Sequence, residues 1–198
     1  MSLPHIPTIS YDSWPIPDRK ECQALWEEYR MPEHIRKHSQ TVSKVAVFIG
    51  RKLRDKGIDI NLPLLKASAL LHDIGKAYCI KHGGAHSQVG ASIVIQHTSN
   101  PLIAMAVMHH VFWPDQIDIQ KYFLPLTIIY SDKRVKHDQV VDIDKRFVDL
   151  FDRYGLNDKR IKMIQNSKNQ VKEIETELSK TIGVNLNACS FDSRRLVQ

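Results

Sequence analysis

The sequence predicts an all-α, single-domain helical bundle, and three observations support this fold class. Apolar residues recur at helical spacing along most of the chain, no segment keeps a period-two alternation, and short polar or Gly/Pro-containing joints separate the apolar segments. A chain of 198 residues fits one domain. We divide it into an extended N-terminal arm (1–17), a helical bundle (18–182) and a C-terminal tail (183–198).

Proline and capping signals define the first elements. Four prolines within residues 1–17 prevent a regular helix there and favour an extended arm. Asp18 is a suitable cap for a helix that we expect to run to about Arg30. Pro32 then opens a second helix, and the apolar positions of this helix recur until Gly57 ends it.

Three more helices are predicted in the middle of the chain. A nearly continuous apolar run follows Pro63 and ends at Gly75, as expected for a helix that passes through the middle of a bundle. A flexible double-glycine joint precedes the next helix. Asn100 and Pro101 provide a cap and a first-turn proline for the fifth helix.

The remaining helices complete the predicted bundle. The sixth has Pro125 near its start and continues to about His137, and two more are expected near 144–154 and 158–182. The apolar residues in these segments again have helical spacing. Residues beyond 182 carry no clear periodic signal, so we assign them to a tail.

Composition limits the classes of function. The hydrophobic fraction of 42% and the charged fraction of 25% are typical of a soluble globular protein. Apolar runs fall short of the roughly 18 residues that cross a bilayer, and the N-terminus lacks a basic segment followed by an apolar one. We therefore expect a cytoplasmic protein without a membrane partner. The three cysteines are far apart and predict neither a disulfide framework nor a cysteine zinc site.

The charge of the chain bears on its partners. A net charge of +6 suits an anionic substrate. The lysines and arginines are spread along the chain rather than gathered into one basic arm, so nucleic acid is not a favoured partner. A homo-oligomer stays open as an alternative, because Trp14, Trp26 and the proline-rich arm could form an interface.

Histidine and aspartate residues recur at the ends or inward faces of successive predicted helices. An adjacent pair, His72-Asp73, ends the apolar third helix, and His38 lies within the second. The further donors downstream are His86, His109, His110 and Asp132. A single histidine on a helix is usually a hydrogen-bonded structural residue. Repeated imidazole and carboxylate groups, however, form the mixed N/O set that binds hard or borderline divalent metals.

These motifs resemble those of a known family. The order H…HD…D and the run HDIGK at 72–76 are similar to the motifs of the HD superfamily of metal-dependent phosphohydrolases. The similarity covers roughly residues 30–155 and implies an HD-type bundle. In that family the first histidine, the His-Asp pair and the last aspartate bind one metal. The corresponding residues of this chain are His38, His72, Asp73 and Asp132.

A second metal is implied by the likeness to binuclear members of that superfamily. The segment AHSQVGA is similar to their H-x-x-x-G segment, which assigns His86, and His110 follows an apolar helix as their next ligand does. Asp73 would bridge the two ions. His109 is a second choice, because a related branch uses both members of an HH pair, although the GYP motif of that branch is absent. Iron or manganese is expected, with magnesium, nickel, cobalt or zinc as alternatives.

The resemblance implies a phosphohydrolase acting on a small phosphorylated metabolite, with a nucleotide or dinucleotide as the favoured substrate. Two divalent cations lower the pKa of a bound water and neutralise phosphoryl oxygens. Asp73 would bind metal and orient that water, and Lys76 could hold a phosphate oxygen. Lys76 has an alternative role as a favourable charge at a helix end. Lys133 is a weaker candidate for a phosphate contact, within a charge run.

Two alternatives to hydrolysis stay open. Some HD-fold proteins use a mixed-valence di-iron pair to cleave carbon bonds with oxygen, and the ligand set fits that chemistry too. The other alternative is a regulatory module without catalysis, although degenerate members usually lack several ligands and every position is filled here.

His34 lies four residues before His38 on the same helical face. It replaces the acidic residue that contributes to a third metal in some HD proteins.

Overall fold

The computed structural model describes residues 14–189 and Phe191, and in this part the chain forms nine α-helices and one small antiparallel hairpin. The predicted all-α fold is confirmed. The helices are α1 (Arg19–Glu28), α2 (Glu33–Asp55), α3 (Leu62–Leu71), α4 (Lys76–His82), α5 (His86–Thr98), α6 (Pro101–His109), α7 (Ile119–Lys133), α8 (Ile143–Tyr154) and α9 (Asp158–Ile182). The strands are β1 (Val135–Lys136) and β2 (Gln139–Val140).

Helix α2 is central to the bundle. It packs mainly against α3 and also contacts α7 and α9. Val42, Val45 and Ile49 are fully buried on its apolar face, at the spacing that a one-sided helix requires. Helix α3 is buried on nearly all sides, which explains its almost continuous apolar run. These two helices therefore carry several polar residues into the core, namely His38, Ser39, Ser43 and Ser68.

Side-chain caps begin several helices, and at Asp18 and Asn100 the sequence predicts them. Asp18 accepts hydrogen bonds from the backbone of Lys20 and Glu21, and the Glu21 side chain completes a capping box. Asn61 caps α3 and Asn100 caps α6, each with a proline in the first helical turn. These caps satisfy backbone donors that have no partner within the helix.

Three elements differ from the prediction. Helix α4, which precedes the predicted double-glycine joint, was not predicted, because it contains no buried residue and so has no apolar stripe. Helix α7 begins before Pro125, with a kink at Tyr122 that relieves the clash between the proline ring and the preceding turn. It ends at Lys133, so the residues predicted to continue this helix to His137 form the hairpin instead.

Both ends of the described chain contact the bundle. Asn100 donates from its side chain to the Pro15 carbonyl at 3.0 Å. Arg134 donates to the carbonyls of Leu186 and Cys189, so part of the predicted tail packs on the core. The rest of the predicted arm and tail, residues 1–13, 190 and 192–198, lies outside the described residues.

The described residues also bear on the state of the cysteines and on membrane-spanning helices. All three cysteines are free, and Cys22 is buried. Burial, followed by the nearby carboxylates of Asp18 and Glu21, raises the pKa of the Cys22 thiol to about 12. None of the described helices combines the length and the apolar character needed to cross a membrane.

Candidate metal centre

The side chains predicted as metal ligands converge at the centre of the bundle. They come from α2 and α7 and from the ends of α3, α5 and α6, and they are His38, His72, Asp73, His86, His110 and Asp132. Helix α3 ends at Leu71, so the His-Asp pair lies in the turn that follows the helix rather than on its last turn. All of these residues are buried except His86, which is partly exposed.

The first group of donors surrounds Oδ2 of Asp73. Nε2 of His72 lies 3.3 Å from this oxygen, and Nε2 of His38 lies 3.8 Å from it. Oδ1 of Asp132 is 2.9 Å from His38 Nε2 and 3.8 Å from His72 Nε2. Two imidazoles and two carboxylates thus meet in one small volume, which we call site one.

The second group of donors surrounds Oδ1, the other oxygen of Asp73. Nε2 of His110 lies 3.4 Å from this atom and Nε2 of His86 lies 3.6 Å from it, and the two nitrogens are 3.1 Å apart. We call this group site two. Asp73 belongs to both sites and presents one oxygen to each, which is the arrangement that a bridging carboxylate requires.

Backbone carbonyls hold three of the histidine rings in place. His72 and His110 each donate from Nδ1 to the carbonyl three residues earlier, at 2.7 Å. His38 donates from Nδ1 to the His137 carbonyl at 2.8 Å, in the hairpin turn where His137 has a left-handed φ of 55°. These bonds assign the hydrogen to Nδ1 and direct each Nε2 toward the cluster.

The donor set fits divalent cations. In site one and in site two, three donor atoms lie within 4.8 Å of one another. Nε2 of His72 and Oδ1 of Asp73 are buried and have no hydrogen-bond partner among the described residues. Buried polar atoms are nearly always paired, so unpaired ones inside a donor cluster indicate a missing ligand. Imidazole with carboxylate suits iron, manganese and similar ions better than magnesium, which prefers oxygen alone.

The cluster borders a cavity of about 310 Å³. Asp73 and the two histidines His38 and His86 form part of its wall. Cationic side chains also line it, namely Lys76, Arg146 and Arg153. An anion that entered this cavity would therefore meet positive charge beside the donor cluster.

A protein-family model described as HD domain matches residues 35–156. The chain belongs to the HD domain family. The predicted resemblance to the HD superfamily of metal-dependent phosphohydrolases is thereby confirmed, and the matched range contains all the candidate ligands of both sites. No solved structure gives a significant match to this HD domain.

The curated relatives of this HD domain are distant. A tRNA (cytidine(56)-2'-O)-methyltransferase of Thermoplasma volcanium is 29% identical over 145 residues, which are 64% of this chain and 41% of the relative. An uncharacterised protein of Methanocaldococcus jannaschii is 28% identical over 150 residues, or 67% of this chain and 84% of the relative. Ribonuclease Y of Dehalococcoides mccartyi is 28% identical over 102 residues, 52% of this chain and 18% of the enzyme. The chain therefore spans less than half of the methyltransferase.

The two sites of the HD domain differ in the protonation of their histidines. Burial alone would lower the pKa of His72, but the carboxylates of Asp73 and Asp132 raise it to about 9. Burial, with the neighbouring His110 second, lowers the pKa of His86 to about 3. In the metal-free protein at neutral pH, His72 is therefore protonated and His86 is neutral.

Lys76 contacts the shared carboxylate. Its Nζ donates to Asp73 Oδ2 at 2.6 Å, and the side chain lines the cavity. Burial favours the neutral form of Asp73, but His72 and Lys76 hold the pKa of this carboxyl well below its usual value. Lys76 is the first residue of α4 rather than the last of α3, so its alternative role as a charge at a helix C-terminus is wrong.

Glycines allow the His-Asp turn to lie against α5. A Cβ on Gly75 would be 2.3 Å from the carbonyl oxygen of His86 and 2.6 Å from the backbone nitrogen of Gly90. A Cβ on Gly90 would be 3.0 Å from Cγ1 of Val107. The close contact at Gly75 brings the start of α5, and with it His86, beside Asp73. The glycine of the HDIG motif is therefore a packing requirement of site two.

The second-choice residues lie outside the two donor groups. The ring of His109 packs against Trp113, with 5.3 Å between ring centroids, while His110 faces Asp73. Lys133 is buried, and its Nζ donates to Asp132. It is not among the residues that line the cavity, whereas His34 is. Lys133 thus neutralises a candidate ligand rather than facing bound substrate.

Helix α8 contributes side chains that the sequence analysis did not identify. Arg146 and Arg153 line the cavity, and His137 lines it from the hairpin turn. Arg146 and Asp149 are buried, three residues apart, on a helix whose Ile143 is also buried. Oppositely charged residues within the apolar stripe of an amphipathic helix are the signal that identifies such a pair.

Proposed function

We propose that this HD domain is a metal-dependent phosphohydrolase that cleaves a phosphate ester or anhydride bond of a small metabolite, with a nucleotide as the favoured substrate. The observation that carries the proposal is the position of Asp73. One oxygen of this residue faces each histidine group, and Asp73 lines a cavity whose wall includes Lys76 and two arginines. Donors for two ions beside cationic side chains are the components that phosphoryl transfer uses.

The roles of the residues follow from their positions. Two divalent ions, iron or manganese, would supply a water of lowered pKa and neutralise charge on the phosphoryl oxygens. The residues of site one would hold one ion, those of site two the other, and Asp73 both. The buried, ionised Asp73 would orient the attacking water through a hydrogen bond. Lys76 would donate to an oxygen of the transferred phosphoryl group, from a position set by its bond to Asp73.

Two exposed apolar side chains of the cavity wall support a nucleotide as the favoured substrate. Ile80 and Tyr154 line the cavity and are 72% and 40% exposed. Exposed aliphatic and aromatic side chains beside polar and charged ones suit the binding of a nucleobase or a sugar. Phe112 and Trp113, which follow the histidine pair, are not among the residues that line this cavity. The volume of about 310 Å³ is in the range of small-molecule sites.

The test combines metal content with phosphate release. Wild-type protein loaded with manganese or iron should bind about two ions per chain and release phosphate from members of a panel of nucleotides and simple phosphate esters. Asp73→Asn should lose both ions and at least about 1,000-fold in activity, because metal catalysis supplies several kcal/mol. Asp59→Asn, at an exposed aspartate, is the matched control and should retain both. Full metal content without turnover on the panel would indicate a regulatory module.

Two further arms separate the remaining alternatives. A hydrolase should work without oxygen and with redox-inert zinc. A di-iron oxygenase should require oxygen and show a change of iron valence by Mössbauer spectroscopy. The panel should also include a short RNA, because two of the relatives carry the names of enzymes that act on RNA. Cleavage of RNA without release of phosphate from small nucleotides would contradict the small-metabolite part of the proposal.

A further inference from the structure

The α8 face of the cavity carries more positive charge than its own carboxylate can neutralise. Asp149 is buried, and three cations surround it: Arg146 Nη1 at 2.8 Å, Arg153 Nη1 at 3.4 Å and Lys136 Nζ at 3.6 Å. Arg146, Asp149 and Arg153 lie on one helical face, at the three- and four-residue spacings that bring side chains together. We call these four residues the α8 cation cluster. With Asp132, which lies 3.9 Å from Arg146, two carboxylates face these three cations, so one positive charge is in excess; Arg146 and Arg153 line the cavity.

Arg146 has donors that the protein does not use. Its Nη1 donates to Asp149, but Nη2 lies 3.9 Å from Asp132 Oδ1, beyond hydrogen-bonding distance. The buried Nε has no hydrogen-bond partner among the described residues. An arginine whose side chain is only 7% exposed normally pairs all its donors, because an unpaired buried donor is costly. The free donors of a planar guanidinium match the oxygens of a phosphate group.

The two arginines extend from the metal centre toward solvent. Arg146 is buried beside Asp132, a candidate ligand of site one, and Arg153 is half-exposed at 48%. Both line the same cavity as Asp73. A phosphate held at the metal centre would therefore have Arg146 beside it, and a neighbouring phosphate would lie within reach of both arginines.

We propose that Arg146 and Arg153 bind a second phosphate of the substrate, so that the substrate class is a compound with consecutive phosphates, such as a nucleoside diphosphate or triphosphate, rather than a monophosphate ester. The inference rests on the proposed function, because it assumes that the first phosphate binds at sites one and two. Lys76 and the ions serve that first phosphate. The excess charge of the α8 cation cluster then has a second anionic group to neutralise.

The test measures binding of orthophosphate and pyrophosphate by calorimetry. Excess manganese is kept in the buffer so that the anion does not remove ions from the protein. Wild-type protein should prefer pyrophosphate by at least about tenfold, since each charge-assisted hydrogen bond to the second phosphate adds affinity. Arg153→Gln should weaken pyrophosphate binding roughly five- to tenfold and orthophosphate binding less than about twofold. Arg146→Lys, which keeps the charge but loses the planar fork, should reduce the preference by a similar factor.

Controls separate this subsite from effects on folding. Arg54→Gln removes an exposed arginine on α2, roughly 24 Å along that helix from His38, and should change neither affinity. Arg153 is half-exposed, so its variant keeps the test informative even if Arg146→Lys does not fold. Equal losses for both anions in Arg153→Gln, or no loss for either, would overturn the second-phosphate assignment.

The outcome is independent of turnover. If the protein hydrolyses no phosphate compound but shows the predicted preference for pyrophosphate, the proposed function fails and the subsite stands. If it hydrolyses p-nitrophenyl phosphate and nucleoside diphosphates with equal kcat/KM, and Arg153→Gln affects both equally, the function stands and the subsite fails.

Discussion

Site one and site two share Asp73 but differ in charge, burial and support. Site one contains a second carboxylate, Asp132, and both of its histidines donate from Nδ1 to backbone carbonyls. Site two has two imidazoles and only the shared carboxylate within its donor group, and the side chain of His86 is 29% exposed. A second carboxylate donor and histidines that are both held by backbone carbonyls favour tighter binding of a cation. We therefore expect site one to fill first and site two to exchange its ion more readily.

Removal of one histidine from each site, in separate variants, should give the largest difference in metal binding between the two sites. His38→Ala should weaken binding at site one by more than about 100-fold, which is the upper range for loss of an outer-shell partner. His86→Ala should leave about one ion per chain, because site one stays intact. Metal analysis after dialysis and calorimetric titration measure both effects. His82→Ala, at an exposed histidine of α4, is the control. A His86→Ala protein that loses every ion would reverse the order of the two sites.

Substitutions at two glycines test how packing supports site two. Gly75→Ala places a Cβ against backbone atoms that cannot move independently and should destabilise the fold by about 1–3 kcal/mol. The ion of site two should be lost first, because the strain separates His86 from Asp73. A Cβ on Gly90 would lie 3.0 Å from the Val107 side chain, which can shift, and 3.4 Å from the backbone nitrogen of Gly75, so Gly90→Ala should cost less. Urea unfolding gives the stability of each variant, and metal analysis gives its ion content. An equal cost for both variants would contradict this account.

The smallest of the expected differences between the two sites is the number of protons released when an ion binds. A pKa of about 9 means that His72 carries a proton at pH 7.5 in the metal-free protein, so an ion that binds to site one must displace it. The affinity of site one should therefore rise with pH until about 9. His86, with a pKa of about 3, is already neutral and has no proton to release. Calorimetry in two buffers of different ionisation enthalpy should give about one proton for site one and none from His86. Equal release from both sites would contradict the assignment.

Much of the donor set could be predicted, because the types of residue and their order along the chain are enough to identify candidate donors. His38, the His72-Asp73 pair and Asp132 resemble the HD motifs, and the family membership of the chain is confirmed. The predicted caps Asp18 and Asn100 also begin helices. The ligand roles themselves stay predictions until metal binding is measured.

Other features could not be predicted because they depend on contacts between distant segments. Helix α4 has no buried residue and so leaves no periodic signal. The hairpin was predicted as the end of a helix, yet its turn supplies the His137 carbonyl that accepts from His38. The sequence signal for Arg146 is its place with Asp149 in the apolar stripe of α8, but its position at the cavity depends on how α8 packs on the bundle.

The sequence by itself determined that the chain is helical, which helix faces are apolar, and that imidazole and carboxylate groups recur in the order of the HD family. The spacing of residues along the chain specifies these properties, because an α-helix completes one turn every 3.6 residues. The tertiary structure decided that His110 rather than His109 faces Asp73, that the two oxygens of Asp73 serve different histidine pairs, and that Arg146 lines the same cavity. These relations depend on how helices far apart in the chain pack against one another, and no local pattern encodes that packing.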